Sequence, residues 1–298
     1  MPKLSKVGVI GVPYNVGWKG PGIDKGAEAL RAAGLIDKLK KISSEVLDFG
    51  NLEVKLPPPN YSNPKLLNPK QVKAVCESLA TEVQSILDTG YFPFIIGGED
   101  SVLMGIIEGL RTALGPRIGL IYMDAHGDFN TPETTPSGLI GGMDIAITAG
   151  RGPKELVEMF GHSPLLPEEN IVLYGTRDLD KMEKIALAES KIRIYTREKI
   201  RELSVEQAVK SVLHDLKPRC DHIYVHIDLD VLDGTVISAQ ALPVTDGLST
   251  SEFQKTLQAL VKSKQLCGIA IMVFNAAKDS EGKEARKVVK LVSDALRA

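Results

Sequence analysis

The sequence predicts one three-layer α/β domain over residues 1–298, with helices on both faces of a largely parallel sheet. Short apolar runs typical of buried strands alternate with amphipathic helical patterns along the whole chain. No low-complexity linker and no internal repeat interrupts this alternation. A length of 298 residues is sufficient for one large domain of this class.

Each predicted element has a local reason in the sequence. The β-branched run Val7–Val12 favours a strand, and the spacing of apolar residues over Ala27–Lys41 favours a helix after a loop rich in Gly and Pro. Pro69 suits the first turn of the next helix, for which Asn68 is the expected N-cap. Further expected strands are Glu45–Phe49, Phe92–Ile96, Ile171–Tyr174, Ile192–Tyr195 and Gly268–Phe274, and further expected helices are Val102–Leu114, Ser204–Leu216, Glu252–Lys262 and Glu284–Leu296.

Composition favours a small-molecule partner. The formal net charge is −2, and no basic or acidic tract indicates a nucleic acid or another macromolecule. The N-terminal apolar run is too brief for a signal peptide, and no later run approaches the roughly 20 apolar residues of a membrane span, so we expect a cytoplasmic protein. Cys76, Cys220 and Cys267 are odd in number and widely separated, which favours buried free thiols over disulfides.

The most informative stretch is Ile118–Asn130, IGLIYMDAHGDFN. Its apolar run is too short for most helices and predicts a buried strand that stops at Asp124. In an extended chain Asp124, His126 and Asp128 point to the same side, which brings two carboxylates and an imidazole into one small volume. Because such groups are costly to bury unpaired, we expect a divalent cation, with manganese or zinc suited to mixed oxygen and nitrogen ligands.

A second cluster lies in the segment His222–Asp233, HIYVHIDLDVLD. His226, Asp228 and Asp230 alternate with apolar residues at the end of another expected strand. The two aspartates form either a solvated turn or a second half of the metal site, and the first cluster favours the second interpretation. His226 lies inside the strand, which favours a hydrogen-bonded core histidine over a ligand.

Two further aspartates have both a structural and a functional interpretation. Asp100 follows Gly97 and Gly98 at the end of a strand, so it is either the N-cap of the next helix or a ligand at the carboxyl edge of the sheet. Asp180 is expected to cap the helix that begins at Lys181, unless it belongs to the mouth of the site.

The loop 127–142 is long for a simple connection and rich in small polar residues. Long ordered loops at strand ends are often functional. Asn130, Thr135 and Ser137 are candidates for binding a polar substrate, although each residue type is also common in turns that bond their own backbone.

Taken together, the two acidic clusters resemble those of the arginase and agmatinase (ureohydrolase) family. The block Asp124–Asp128, the pair Asp228 and Asp230, and the opening Val7–Leu35 carry a resemblance that spans nearly the whole chain. The loops similar to those of arginases proper are Asn130-Thr131-Pro132, Thr134-Thr135, Ser137-Gly138 and Arg177-Asp178-Leu179-Asp180. The resemblance implies a three-layer α/β/α sandwich with a mostly parallel, eight-stranded sheet.

The resemblance also implies a centre of two manganese ions per chain. The implied ligands are Asp124 and Asp228 for both metals, Asp100 and Asp128 for the first, and His126 and Asp230 for the second. Asp128 and His126 are the expected catalytic ligands, because they help to hold the hydroxide that attacks the guanidinium carbon and expels an amine. Asn130 and Ser137 would contact the substrate α-carboxylate, and Asp180 its α-amino group.

Three positions depart from the family. Its G-G-D-H-S motif places a histidine ligand where this chain has Asp100, which has a shorter arm and adds a negative charge. Gly141 replaces a histidine assigned to proton transfer, and Val273 replaces a glutamate that binds the guanidinium. Losing a general acid or base typically costs ~10²–10⁴ in rate. Losing the glutamate removes a charge-assisted anchor of about 1.5–3 kcal/mol.

Two functions agree with these matches and departures. The first is a manganese-dependent hydrolase of a guanidino or amidino C–N bond, which converts L-arginine or a related amino-acid-like substrate to an amine and urea. The second is a catalytically impaired homologue with a binding or regulatory role. The retained ligand types favour the first, because buried aspartates without a metal are destabilising. By analogy with the family we also expect a homo-oligomer, a trimer or a hexamer.

Overall fold

The computed structural model describes residues 4–18 and 20–297. Its centre is an all-parallel sheet of eight strands, which confirms the fold class expected from the sequence. The strands are β1 Lys6–Gly11, β2 Glu45–Asn51, β3 Phe92–Ile96, β4 Ile118–Met123, β5 Ile171–Tyr174, β6 Arg193–Tyr195, β7 His222–Asp228 and β8 Leu266–Met272. Their order across the sheet is β2-β1-β3-β8-β7-β4-β5-β6.

Helices cover both faces of this sheet. The helices of the described chain are α1 Gly26–Ala32, α2 Leu35–Leu39, α3 Pro69–Asp88, α4 Leu103–Leu114, α5 Asp144–Thr148, α6 Lys154–Val157, α7 Lys181–Ala188, α8 Arg197–Leu203, α9 Val205–Leu216, α10 Thr250–Val261 and α11 Lys283–Leu296. Alternate strand residues enter two separate apolar cores, as when Ile121 packs with α9, α10 and α11 while Leu120 packs with α3 and α4. Within the described residues, no helix is both long enough and apolar enough to span a membrane.

The central strands are apolar along their whole length because both of their faces are covered. Every residue of β3, β4 and β8 is buried. Since β3, β8, β7 and β4 are neighbours and parallel, the segments that follow them meet at one edge of the sheet. This edge brings together Asp100, Val273, Asp228 and Asp124 from distant parts of the sequence.

One local expectation was wrong, and a second holds for the position of the residue but not for its side-chain contact. The helix expected over Ala27–Lys41 is two helices, α1 and α2, because Gly34 adopts a left-handed backbone with φ of 88°. Asn68 occupies the N-cap position of α3, as expected, but its side chain makes no capping hydrogen bond. Its Oδ1 instead accepts from Asn60 N at 2.6 Å, and its Nδ2 donates to the Val16 carbonyl at 2.7 Å. The three cysteines are free and buried, as expected.

Candidate metal centre

The aspartates and histidine after β4 lie in a turn rather than in an extended segment. The strand ends at Met123, and Asp128 has a left-handed backbone with φ of 47°. The argument that alternate strand residues share one side is therefore wrong for this loop. The turn nevertheless directs the carboxylates of Asp124 and Asp128 into the same cluster of ligand atoms.

Five of the six expected ligand residues form two overlapping groups. Within each group the candidate ligand atoms lie within 4.8 Å of one another. The groups are Asp100, Asp124 and Asp128, and Asp124, His126 and Asp230. These match the sets that the family resemblance implies for the first and second metals, with Asp124 common to both. Asp228 belongs to neither group, and its Oδ1 accepts a hydrogen bond from Asp230 N at 2.7 Å.

Backbone amides and an imidazole orient the second group. Ala125 N donates to Asp230 Oδ1 at 3.0 Å, and His126 N donates to Asp124 Oδ1 at 2.6 Å. His126 Nδ1 lies 3.1 Å from Asp230 Oδ2 and 3.3 Å from Asp124 Oδ1. Burial alone would lower the pKa of His126, but hydrogen bonds with the two carboxylates raise it to about 12. The carboxylates of Asp124 and Asp230 thus favour a positively charged group next to them.

The charge and the donor set fit divalent cations. Burial, followed by repulsion among neighbouring carboxylates, raises the pKa of Asp128 and Asp228 well above the usual range and that of Asp230 to about 7. Within residues 4–18 and 20–297, Asp124 Oδ2 is buried without a hydrogen-bond partner. An unsatisfied buried carboxylate oxygen is costly, and a metal ion supplies both the missing partner and the missing positive charge.

The side chain of Asp100 contacts His226 and does not cap a helix. Its Oδ1 lies 2.8 Å from His226 Nε2, whereas α4 begins three residues later with Val102 at its N-cap. His226 is fully buried and hydrogen-bonded at both ring nitrogens, as expected for a core histidine, since Nδ1 lies 3.0 Å from the Tyr224 hydroxyl. The cap interpretation of Asp100 is therefore wrong, and Asp100 remains a candidate ligand oriented by an imidazole.

A buried tyrosine and a further aspartate complete the surroundings of Asp128. The Tyr122 hydroxyl lies 2.6 Å from Asp128 Oδ2 and 3.3 Å from Asp144 Oδ2. Burial, followed by repulsion from Asp128, raises the pKa of Asp144 well above the usual range. The sequence analysis missed both residues. Tyr122 is one more apolar position in β4, and an aspartate at a helix start is usually a cap.

Glu99 is a second carboxylate that the sequence analysis missed. It is 3% exposed, and its Oε1 accepts from Gly17 N at 2.6 Å and from Ser101 Oγ at 2.8 Å. Burial raises its pKa to about 7. The sequence contains one signal for Glu99. The family motif G-G-D-H-S reads G-G-E-D-S here, so the chain differs from the family at Glu99 as well as at Asp100.

A cavity of about 300 Å³ is lined by the expected substrate-binding residues Asn130, Ser137 and Asp180. Of the residues described above, the cavity is lined by Glu99, Asp100, His126, Asp128, Asp228 and Asp230. Asn130 Nδ2 donates to Asp180 Oδ2 at 2.9 Å, so the amide and the carboxylate are held side by side. Asp180 also precedes α7, where its backbone N donates to Glu183 Oε2 at 3.1 Å. Asp180 is therefore the N-cap of α7, as expected, and it also lines the cavity, while its contact with a substrate stays a prediction. Thr135 Oγ1 accepts from Gly138 N at 3.0 Å, the bond of a turn residue.

The two positions that lack family side chains also line this cavity. Gly141 and Val273 lie in its wall with Glu99. Val273 has φ of 60°, a conformation that is costly for a β-branched residue. Its N donates to the Gly98 carbonyl at 2.9 Å, which fixes this wall against the segment that contains Glu99 and Asp100.

Comparison with known proteins agrees with this geometry. A model of the arginase family matches residues 5–297. An arginase of Staphylococcus aureus (strain COL) is 34% identical over 298 residues, which covers 98% of this chain and 97% of that protein. The crystal structure of an arginase from Bacillus cereus superposes with a TM-score of 0.91 at 31% identity and covers 98% of this chain and 99% of that one. The arginase of Entamoeba histolytica, solved in complex with L-ornithine, has a TM-score of 0.91 at 26% identity and covers 99% of both chains. The chain belongs to the arginase family.

Proposed function

We propose that the protein is a manganese-dependent hydrolase of a guanidino or amidino C–N bond, which converts L-arginine or a related amino-acid-like substrate to an amine and urea. The observation that carries this proposal is the pair of overlapping ligand groups that share Asp124. Both groups border a cavity of about 300 Å³, a volume suited to a small molecule.

The chain would hold two manganese ions through its six expected ligands. Asp100 and Asp128 would bind the first ion, His126 and Asp230 the second, and Asp124 and Asp228 both. When bound, the ions supply Lewis-acid activation of water near neutral pH. Asp128 and His126 orient this centre: Asp128 is fixed by the Tyr122 hydroxyl at 2.6 Å, and His126 by the carboxylates around its Nδ1.

The cavity residues support a cationic, amino-acid-like substrate. Asp180 would accept hydrogen bonds from an α-ammonium group, while Asn130 and Ser137 would donate to an α-carboxylate. The contact between Asn130 and Asp180 at 2.9 Å keeps these two functions adjacent, as they are in an amino acid. The clustered carboxylates that line the cavity favour a positively charged reacting group.

Gly141 and Asp100, which stand where the family has histidines, support a slower reaction than in a family member that keeps both histidines. Gly141 provides no proton-transfer group, which typically costs ~10²–10⁴ in rate. Asp100 adds a negative charge to the first ligand group, which makes the metal a weaker electrophile. These observations also support the alternative of a catalytically impaired homologue with a binding or regulatory role.

Urea release after manganese loading distinguishes the two functions. We expect urea from L-arginine or from another guanidino compound, such as agmatine, only when manganese is bound. Asp124→Asn should abolish the release, because Asp124 is common to both ligand groups. Glu133→Gln is the control, because Glu133 is exposed and outside the cavity. A protein that binds two manganese ions per chain and releases no urea from any guanidino compound would favour the binding role.

A further inference from the structure

The Glu99 carboxylate is held through one oxygen and presents the other to the cavity. Gly17 N and Ser101 Oγ both donate to Oε1, at 2.6 and 2.8 Å. In the part of the chain that the structure describes, Oε2 accepts no hydrogen bond. Glu99 is 3% exposed and lines the cavity, so its accessible surface faces the space available to a ligand.

The free oxygen lies beside the position of a missing family side chain. A Cβ built on Gly141 would lie 3.5 Å from Glu99 Oε2, which is ordinary van der Waals contact. A larger side chain at position 141 would therefore compete for the space next to this oxygen. Val273, another position that differs from the family, lies against the segment that contains Glu99, because Val273 N donates a hydrogen bond to the Gly98 carbonyl. The changes at 99, 141 and 273 thus meet in one wall of the cavity.

A glycine fixes the direction of this carboxylate. A Cβ on Gly17 would lie 2.7 Å from Glu99 Oε2 and 2.9 Å from Oε1, closer than real Cβ atoms approach. Because position 17 has no side chain, its backbone lies against the carboxylate and donates to Oε1, whereas a Cβ there would push the carboxylate away from this position. The carboxylate is therefore oriented before any ligand binds, which reduces the entropy lost on binding.

We propose that Glu99 Oε2 accepts the N–H group of the substrate's guanidinium or amidinium, in place of the glutamate that the family carries at position 273. The inference depends on the proposed function for the class of substrate. A planar cation with several N–H donors complements an oriented carboxylate oxygen through a charge-assisted hydrogen bond. A neutral ureido group of the same shape lacks the charge, so Glu99 should select for the cation.

Equilibrium binding of L-arginine and L-citrulline tests this selection. Citrulline carries a neutral ureido group where arginine has its guanidinium. Both ligands would be mixed rapidly with the manganese-loaded wild type and Glu99→Gln, and binding would be measured before turnover from the fluorescence of Trp18, which lines the cavity. Glutamine keeps an oxygen for Gly17 N and Ser101 Oγ but places an amide donor where Oε2 lies. We expect arginine affinity to fall roughly 10- to 100-fold and citrulline affinity to stay unchanged.

Control variants and a parallel urea assay make the outcomes distinct. Glu133→Gln removes an exposed carboxylate and should bind both ligands like the wild type. Glu99→Asp shortens the arm and should also weaken arginine binding, which provides a second test if Glu99→Gln does not fold. Equal arginine affinity in Glu99→Gln and wild type, or a wild type without preference for arginine over citrulline, would overturn the inference. If the wild type releases urea and Glu99→Gln binds arginine as tightly as the wild type does, only this inference is overturned. If arginine binding depends on Glu99 but no urea is released, only the proposed hydrolysis is overturned.

Discussion

Asp100 and His226 form a pair whose two residues are 126 positions apart in sequence. The family motif has a histidine at position 100, whereas this chain has a carboxylate at the edge of the sheet and an imidazole within β7. His226 Nε2 lies near Asp100 Oδ1 and would leave the second oxygen for the metal, an arrangement that orients a ligand and tunes its basicity.

This pairing predicts how substitutions of His226 affect manganese binding. His226→Leu removes the imidazole and should weaken manganese affinity roughly 10- to 100-fold, because Asp100 loses its orienting partner. His226→Gln can keep a donor toward Asp100 and should retain most of the affinity. Equilibrium dialysis with manganese measures both. Equal affinities in the leucine and glutamine variants would show that the imidazole does not orient Asp100.

The sequence was informative about the positions of the candidate ligands and uninformative about their contacts. Asp124 and Asp230 could be predicted because acidic residues directly after apolar strand runs meet at one edge of a parallel sheet. The role of Glu99 could not, because the direction of its carboxylate is set by Gly17, which lies 82 positions away. Such contacts depend on how loops pack, and no local pattern encodes that packing.

At the scale of elements, the expected bounds of strands and helices agree with the observed bounds to within two residues, except that the first expected helix is broken in the middle. The strands β3 and β5 have the expected bounds, since an apolar run between turn residues has few alternatives. The break between α1 and α2 was missed because a glycine within a helical pattern can either continue the helix or interrupt it with a left-handed turn, as Gly34 does. Asn68 was correctly placed at the N-cap position of α3, but contacts with Asn60 and Val16 replace the expected side-chain cap.

The N-terminus of α7 is tied to the loop after β4 through Glu183. Its Oε1 accepts from Phe129 N at 2.8 Å, and its Oε2 accepts from Asp180 N at 3.1 Å. Burial raises the pKa of Glu183 from 4.5 to about 7. Because the raised pKa disfavours the ionised form in the folded state, this residue lowers stability progressively as the pH rises from about 4.5 to about 7.

Glu183→Gln should remove this pH-dependent loss. The variant lacks one acceptor and should be less stable than the wild type at low pH. The difference should shrink by up to about 3 kcal/mol as the pH rises through 7, because glutamine has no charge to acquire. Urea unfolding of both proteins at about pH 5 and pH 8, with the same manganese concentration, measures it. A difference independent of pH would contradict the pKa shift of Glu183.

At the scale of the molecule, the fold concentrates negative charge at the centre of its sheet. Four aspartates that follow three strands converge because β3, β7 and β4 are held in place by apolar cores on both faces. In the absence of cations these carboxylates oppose the stability that the cores provide. Manganese should therefore stabilise the folded protein as a whole, by about 2.7 kcal/mol for each bound ion at a concentration one hundred times its Kd.

Asp228→Asn separates charge repulsion from metal binding because its effect on stability should reverse with manganese. In a chelator the variant should be at least as stable as the wild type near pH 7, because burial and neighbouring carboxylates disfavour the charge of Asp228. Asparagine keeps an oxygen that can accept from Asp230 N.

With manganese the wild type should gain more stability than the variant, which lacks a ligand expected to bind both ions. Thermal unfolding with and without manganese measures this, with the exposed Asp221→Asn as control. If Asp228→Asn were destabilising to the same extent in both conditions, the carboxylate would be structural, because only a metal ligand changes from harmful to stabilising when the cation binds.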